Sequence, residues 1–411
     1  MIILLSKFNE LYYWKIEILR SLWINYDKGG FQLIIFLILL TVLSPVFAIP
    51  FLIIFLFMVE PKYKVYVMIM LSVSLGVILF QIVPNETMDL YRYYKIIDTF
   101  REISFNPLLL FNNSDPITYG LMYLVSKTYN NHFLPFISII LFYFLYYKAI
   151  NELLCIYNLE KKYYNKAIFF ILSIVIIIGT GTGVRFSLAI AMFMNGIVAY
   201  IKGKNKMIPF LWFIMSILSH ITMFIPFVLY MICILLKNKP KKIVYVIWGC
   251  ILMTPSLVLN ILMLLSKVPF LNDLLVKFNS YFTPYNPGGN WFLFRVVIFI
   301  LNLILLIKSQ KYINDHKIKS VILLENFIAI IAIVYLPYYY ISIRFINIFN
   351  NLIIFVMIYN WKNKSNNNYI NLILLCTFIL FSSYQVILFL EQDYGLVSGL
   401  RWFGTIFDLL K

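Results

Sequence analysis

The sequence predicts an all-α, polytopic membrane helix bundle, and three observations carry that prediction. Hydrophobic residues make up 62% of the 411 residues and charged residues only 12%, where soluble domains carry about 25% charged residues. Apolar runs of roughly the 20 residues needed to cross a bilayer recur along the whole chain, and the mean hydropathy is +0.88. The basic residues behind the net charge of +17 come in short groups between those runs. That is the arrangement that orients membrane helices, not the single basic face that grips nucleic acid. No polar segment is long enough to fold by itself, so residues 1–411 are expected to form a single membrane domain.

The runs that predict spanning helices are 65–83, 133–157, 184–201, 243–264, 292–307, 344–361 and 369–390, with shorter ones at 167–178 and 321–336. Two further runs, 31–58 and 207–236, have lysines beyond both ends. Lys28 precedes the first, and Lys62 and Lys64 follow it; Lys202, Lys204 and Lys206 precede the second, and Lys237, Lys239, Lys241 and Lys242 follow it. Basic groups at both ends place both ends on the cytoplasmic side, so each run is expected to enter and turn back. Pro45 and Pro50 mark the turn of the first, because proline breaks the helical hydrogen-bond ladder. The second is interrupted at Ser219-His220, and arms of about 15 residues span about 22 Å, short of a core of about 30 Å. Its tip should lie inside the membrane profile, in protein or in a water-filled cleft.

About 11–13 membrane elements result, including the two hairpin-like runs. Twenty-two of the 34 Lys and Arg then fall in cytoplasmic segments and eight in outer ones. Residues 1–30 begin on the cytoplasmic side: Phe8, Leu11, Ile16, Leu19 and Trp23, mixed with Lys7, Glu10, Glu17 and Arg20, fit a helix lying on the membrane surface. Residues 84–132 and 265–291 are the outer loops. The four cysteines lie in or beside apolar runs without metal-ligand spacing, as small buried side chains do. No His/Cys/Asp cluster has metal spacing either, so neither a metal nor another cofactor is expected.

The outer loops hold aromatic rings beside Asp, Asn and Arg, in Pro84-Asn-Glu-Thr-Met-Asp-Leu-Tyr-Arg-Tyr-Tyr94, Asp115-Pro-Ile-Thr-Tyr-Gly120 and Tyr281-Phe-Thr-Pro-Tyr-Asn-Pro-Gly-Gly-Asn-Trp291. Such a mixture suits sugars, and equally suits interfacial anchoring and turns. Three arginines stand at helix starts on the outer side: Arg185 after Gly179-Thr-Gly-Thr-Gly-Val184, Arg295 one turn past the second outer loop, and Arg344 after Pro337-Tyr-Tyr-Tyr-Ile-Ser-Ile343. A charge inside a membrane costs roughly 2.5–3.5 kcal/mol on insertion scales. Three at one depth, with few acidic residues on nearby helices, point to an anionic ligand. The glycine-rich approach to Arg185 offers a helix N-terminus to an anion, but lacks the Gly-Lys-Ser/Thr of a nucleotide loop. His220, at the hairpin tip, is carried toward the arginines and is a candidate general base.

Asp89-Leu-Tyr-Arg-Tyr-Tyr94, Gly183-Val-Arg-Phe-Ser-Leu-Ala189, Leu218-Ser-His-Ile221 and Ile343-Arg-Phe345, in this order along a multispanning chain, resemble the EpsG-like branch of the Wzy-type polysaccharide polymerases. The resemblance covers about residues 65–360, with Val184 and Phe186 flanking Arg185 where the family often has more polar neighbours. It implies a GT-C-like bundle in the bacterial inner membrane. The activity implied is a metal-independent glycosyltransferase joining undecaprenyl-diphosphate-linked repeat units into O-antigen or capsular polysaccharide at the outer face. Lipid-linked glycans, membrane lipid and a chain-length regulator are the implied partners. On this basis Arg185, Arg295 and Arg344 are assigned to the diphosphate and His220 to the acceptor hydroxyl. Asp89 is a second base, and Tyr91, Arg92 and Tyr94 are assigned to the glycan. A lipid-linked oligosaccharide flippase would carry similar arginines but should show paired repeats, which the sequence lacks. Another integral transferase, such as an O-antigen ligase or an acyltransferase, is a further alternative; a ligase would share the arginine and histidine chemistry and differ mainly in acceptor.

Overall fold

The computed structural model describes residues 26–84, 86, 88–102, 115–175, 183–203, 205, 207–239, 249, 291–310, 315–390 and 404–410. The expected interfacial segment before residue 26, the span 243–264 apart from Gly249, most of the Gly179–Gly183 stretch and the expected second outer loop up to residue 290 lie outside these residues. Every regular element among the described residues is helical. Five helices are long and apolar enough to cross a membrane, and five shorter apolar helices accompany them, which makes this a multi-pass membrane protein.

The 31–58 run divides into α1 (Tyr26–Leu43) and α2 (Pro45–Met58), broken at Ser44. The break falls where the proline requires it, since Pro45 lacks the N–H that would continue the ladder. Pro61, at the first turn, then opens α3 (Pro61–Phe80). Long spans follow at α6 (Phe133–Ile156) and α8 (Val184–Lys202), with the shorter α7 (Lys161–Ile174) between them. The last third of the chain forms α11 (Trp291–Ser309), α12 (His316–Val334), α13 (Tyr339–Lys362) and α14 (Asn367–Leu390). Helices α7, α12 and α13 each begin about five or six residues before the apolar run that predicted them. Of the three, only α12 is capped by a side chain: the carboxylate of Asp315 accepts from the Lys317 N–H at 2.9 Å.

Residues 84–132, expected to be an outer loop, contain two helices among the described residues, α4 (Asp89–Glu102) and α5 (Pro116–Ser126). Leu90, Tyr93, Ile97 and Phe100 are the buried residues of α4, spaced three or four apart as one helix face requires. Cys155 is a smaller departure: it is exposed, with Sγ 3.3 Å from the Tyr164 hydroxyl, whereas Cys233 is buried as expected.

The 207–236 run is a hairpin with His220 at its tip. Its arms are α9 (Met207–Ser219) and, after a 3-10 turn at Ile221–Met223, α10 (Phe224–Leu236). The Phe213 ring lies 5.6 Å from Phe227 and 5.5 Å from Tyr230, and Phe210 meets Phe227 at 6.5 Å. Residue pairs placed evenly about position 220 require antiparallel arms. At 13 residues each the arms rise about 20 Å, well under a hydrocarbon core of about 30 Å. The hairpin is held against α8: Ser216 Oγ donates to the Ala189 carbonyl at 2.6 Å, and Ser219 Oγ reaches Met192 Sδ at 3.2 Å. Gly196 allows this approach, since a Cβ there would stand 2.5 Å from Cε1 of Phe213.

Candidate functional site

The hairpin tip is an irregular stretch in a protein that crosses a membrane, so its backbone groups need partners supplied by the protein. The Ser219 carbonyl accepts from the Thr118 hydroxyl at 3.0 Å, and the Ile221 N–H donates to Asp115 Oδ1 at 3.0 Å. The Thr222 N–H donates to Nδ1 of His220 at 3.2 Å, and the Met223 N–H to the His220 carbonyl at 3.0 Å. Two of these four partners come from one short sequence, Asp115-Pro-Ile-Thr118, at the start of α5. Asp115 is the N-cap residue of α5, yet its carboxylate makes no capping bond. It reaches across to the tip instead.

The other carboxylate oxygen of Asp115 accepts from Nη1 of Arg185 at 2.7 Å, and Nε of Arg185 donates to the Tyr93 hydroxyl at 2.7 Å. Arg185 stands in the first turn of α8, behind Gly183. A cation there opposes the positive end of the helix dipole, so a buried carboxylate beside it has a clear physical role. The Asp115 side chain is 2% exposed and that of Arg185 is 26% exposed. The pair is therefore anchored inside and opens on one side. Burial pushes the Tyr93 phenol far above its ordinary value, with the Arg185 charge pulling the other way. Tyr93 thus serves as a neutral hydroxyl that accepts from the guanidinium.

His220 is buried, its ring edge-on to Phe186 at 5.5 Å. Arg344, Asp115 and Arg185 all lie within electrostatic range of it. Arg344 is in the second turn of α13. One turn further on, Asn347 accepts from Nη1 of Arg295 at 3.1 Å, which sets Arg295 on α11 beside the same stretch of α13. The tip, Arg185 and Arg344 thus come together, with Arg295 adjoining through Asn347.

The α4 residues divide. Asp89 is within electrostatic range of Arg185 and Tyr93 and forms a loose pair with Arg92 at 3.6 Å, both largely exposed. Tyr91 donates to Glu86 at 3.3 Å and lies under Lys95. Tyr94 points elsewhere: its ring is 5.1 Å from that of His132, and burial raises its phenol above the ordinary value. The His132 imidazole is shifted downward, chiefly by burial. The tyrosine at Arg185 is Tyr93, one position before the one singled out for glycan contact.

One expectation needs correction. The sequence leads one to expect few acidic partners for the arginines on nearby helices, and Arg185 has one in Asp115, 70 residues away in sequence. Asp115 and Tyr93 are the two site residues that sequence reasoning missed. An Asp-Pro pair opening a helix in an outer loop reads as an ordinary cap, and only the absence of the capping bond reveals its other use. Tyr93 was legible in principle, because it shares the apolar face of α4 with Leu90 and Ile97.

No curated protein and no solved structure matches the chain. The model of the EpsG family matches residues 71–396, well over half of it and all of the residues just described. This protein is a member of the EpsG family.

Proposed function

We propose that this protein is a polysaccharide polymerase of the bacterial inner membrane. Its substrates are oligosaccharide repeat units carried on a polyprenyl diphosphate, which it joins at the outer face by glycosyl transfer without a metal. One observation carries the proposal beyond family membership. A half-length hairpin brings a buried histidine to two arginines, beside side chains suited to lipid. Ile221 and Phe224, which flank the tip, are 50% and 52% exposed. A lipid-linked glycan needs this adjacency, with apolar surface for its chain and cations for its diphosphate. The guanidinium of Arg185 has five N–H donors; the bonds to Tyr93 and Asp115 take two, leaving others toward the open side.

In this reading Arg185, Arg344 and Arg295 stabilise the charge that develops on the diphosphate as the anomeric bond breaks, which is often a large catalytic term. Asp89, with Tyr91 and Arg92 on the exposed side of α4, meets the incoming glycan. His220 and Asp89 are the two groups able to engage the reacting hydroxyl or the departing phosphate. The lysines at the far ends of the helices support the outer placement of the site. A chain-length regulator would be a protein partner.

The test is the glycan made by a strain lacking the protein. Single-repeat products are expected; absent glycan would point to a flippase, and unattached full-length polymer to a ligase. In membranes, chain extension should persist in EDTA. Loss that added divalent metal restores would end the metal-free mechanism.

A further inference from the structure

The polymerase reading leaves open which way hydrogen bonds run at His220, and the turn after it answers the question. A backbone N–H can only donate, and the Thr222 N–H is directed at Nδ1 of His220 at 3.2 Å. The Thr222 hydroxyl lies 2.8 Å from the same nitrogen. Nδ1 is therefore an acceptor, and in the neutral ring the hydrogen must sit on Nε2. The backbone that sets this is itself fixed, because the preceding N–H, of Ile221, is held by the buried Asp115 carboxylate. Nε2 has no bond to a described residue, nor is it among the buried polar atoms left without one. It is the ring nitrogen that the described residues leave for a ligand.

We propose that His220 works as an Nε2–H donor to a diphosphate oxygen of the lipid-linked substrate, beside Arg185, and not as the base for the acceptor. The identity of the anion rests on the polymerase reading. A nitrogen that already carries the hydrogen cannot accept another from an incoming hydroxyl. In the transfer, the bond between the anomeric carbon and the phosphate oxygen breaks, its electron pair staying with the diphosphate. The acceptor oxygen bonds to that carbon and its proton passes to the Asp89 carboxylate. His220 neither gains nor loses a proton in this step; its hydrogen bond strengthens as the phosphate oxygen gains charge.

The chain has only three histidines, so the ring can be observed directly. In detergent-solubilised, 15N-histidine-labelled protein, with His220→Gln identifying the signal, Nε2 should show a protonated-type nitrogen shift and Nδ1 an unprotonated one. The reverse pattern overturns the proposal. Binding of undecaprenyl diphosphate to the same protein gives a second readout. His220→Ala should weaken it by roughly tenfold or more, the effect of one hydrogen bond to a charged group. His220→Gln, whose amide N–H reaches toward the position of Nε2, should recover most of that loss and retain chain extension at a reduced rate. A His220→Gln protein that binds undecaprenyl diphosphate like the unaltered one but extends no chains would overturn the donor role in favour of a base. If the nitrogen shifts and diphosphate binding follow expectation while a deletion strain still makes normal-length polymer, the polymerase reading falls and the donor assignment stands.

Discussion

The two ends of the helix bundle use cations in opposite ways. At the end away from the hairpin tip, lysines meet helix C-termini. Nζ of Lys64 donates to the Leu56 carbonyl near the end of α2, and to Asn165 at 2.9 Å. Asn165 in turn donates to the Phe57 carbonyl and Lys161 to that of Met58, each at 3.1 Å. Lys317 donates to the Ile201 carbonyl at 2.6 Å, where α8 ends in the left-handed Gly203. Those carbonyls are the orphaned groups of a helix end, and positive charge there is favoured by the dipole. These lysines finish the fold. At the tip end, Arg185 stands at a helix N-terminus, where the dipole works against it, and the buried Asp115 carboxylate, with the Tyr93 hydroxyl, holds it there. A cation held against the local field by a dedicated partner is the one more readily explained by a ligand than by the helix it belongs to.

The sharpest way to break this comparison is to remove the partner. Asp115→Ala deletes the acceptor for both Arg185 and the Ile221 N–H. Removing one member of a buried ion pair costs about 3–5 kcal/mol. Arg185 is 26% exposed, so partial rehydration should bring the loss to about 2–3 kcal/mol, read as a lower melting temperature in detergent. Asp115→Asn keeps an acceptor for Ile221 and should recover part of the stability. Both variants should lose long polysaccharide chains. Full chain length in Asp115→Asn cells would mean that the carboxylate is needed only for folding.

The bundle itself was open to sequence reading because apolar length and lysine position are local properties, and residues 207–236 display both. The location of the hairpin tip at Ser219-His220 followed from the same pattern. The ion pair did not, because Asp115 and Arg185 meet only once α5 is laid against the tip, and nothing near either residue records the other. The direction of the His220 ring was also hidden. It depends on one N–H two residues on, whose aim is set by a 3-10 turn that no residue between Ile221 and Met223 demands. Helix α4 is hidden for a different reason: the polar residues between Leu90, Tyr93, Ile97 and Phe100 mask their period.

A middle-sized effect should come from the lysine end, and it should be of another kind. Lys64 is fully buried, and Lys64→Met keeps much of its volume while removing two hydrogen bonds. The expected loss is about 1–2 kcal/mol, again measured by melting in detergent. Chain extension per folded molecule should be unchanged, because the change lies at the opposite end from His220. A drop in polymer length with normal protein levels would break the division between the two ends.

The smallest effect is expected where charge meets charge in the open. Lys202 and Glu152 approach to 3.3 Å at the last turns of α8 and α6, with side chains 45% and 31% exposed. An ion pair so well hydrated gives back in side-chain entropy most of what it gains in attraction. Lys202→Gln should change stability by less than about 0.5 kcal/mol, and the melting temperature should hardly depend on salt. Arg185 and Asp115 form a pair of the same chemical kind at shorter range, and burial is what separates the two. If Lys202→Gln cost as much as Asp115→Asn, burial would not be the cause of the difference, and the special standing of Arg185 would go with it.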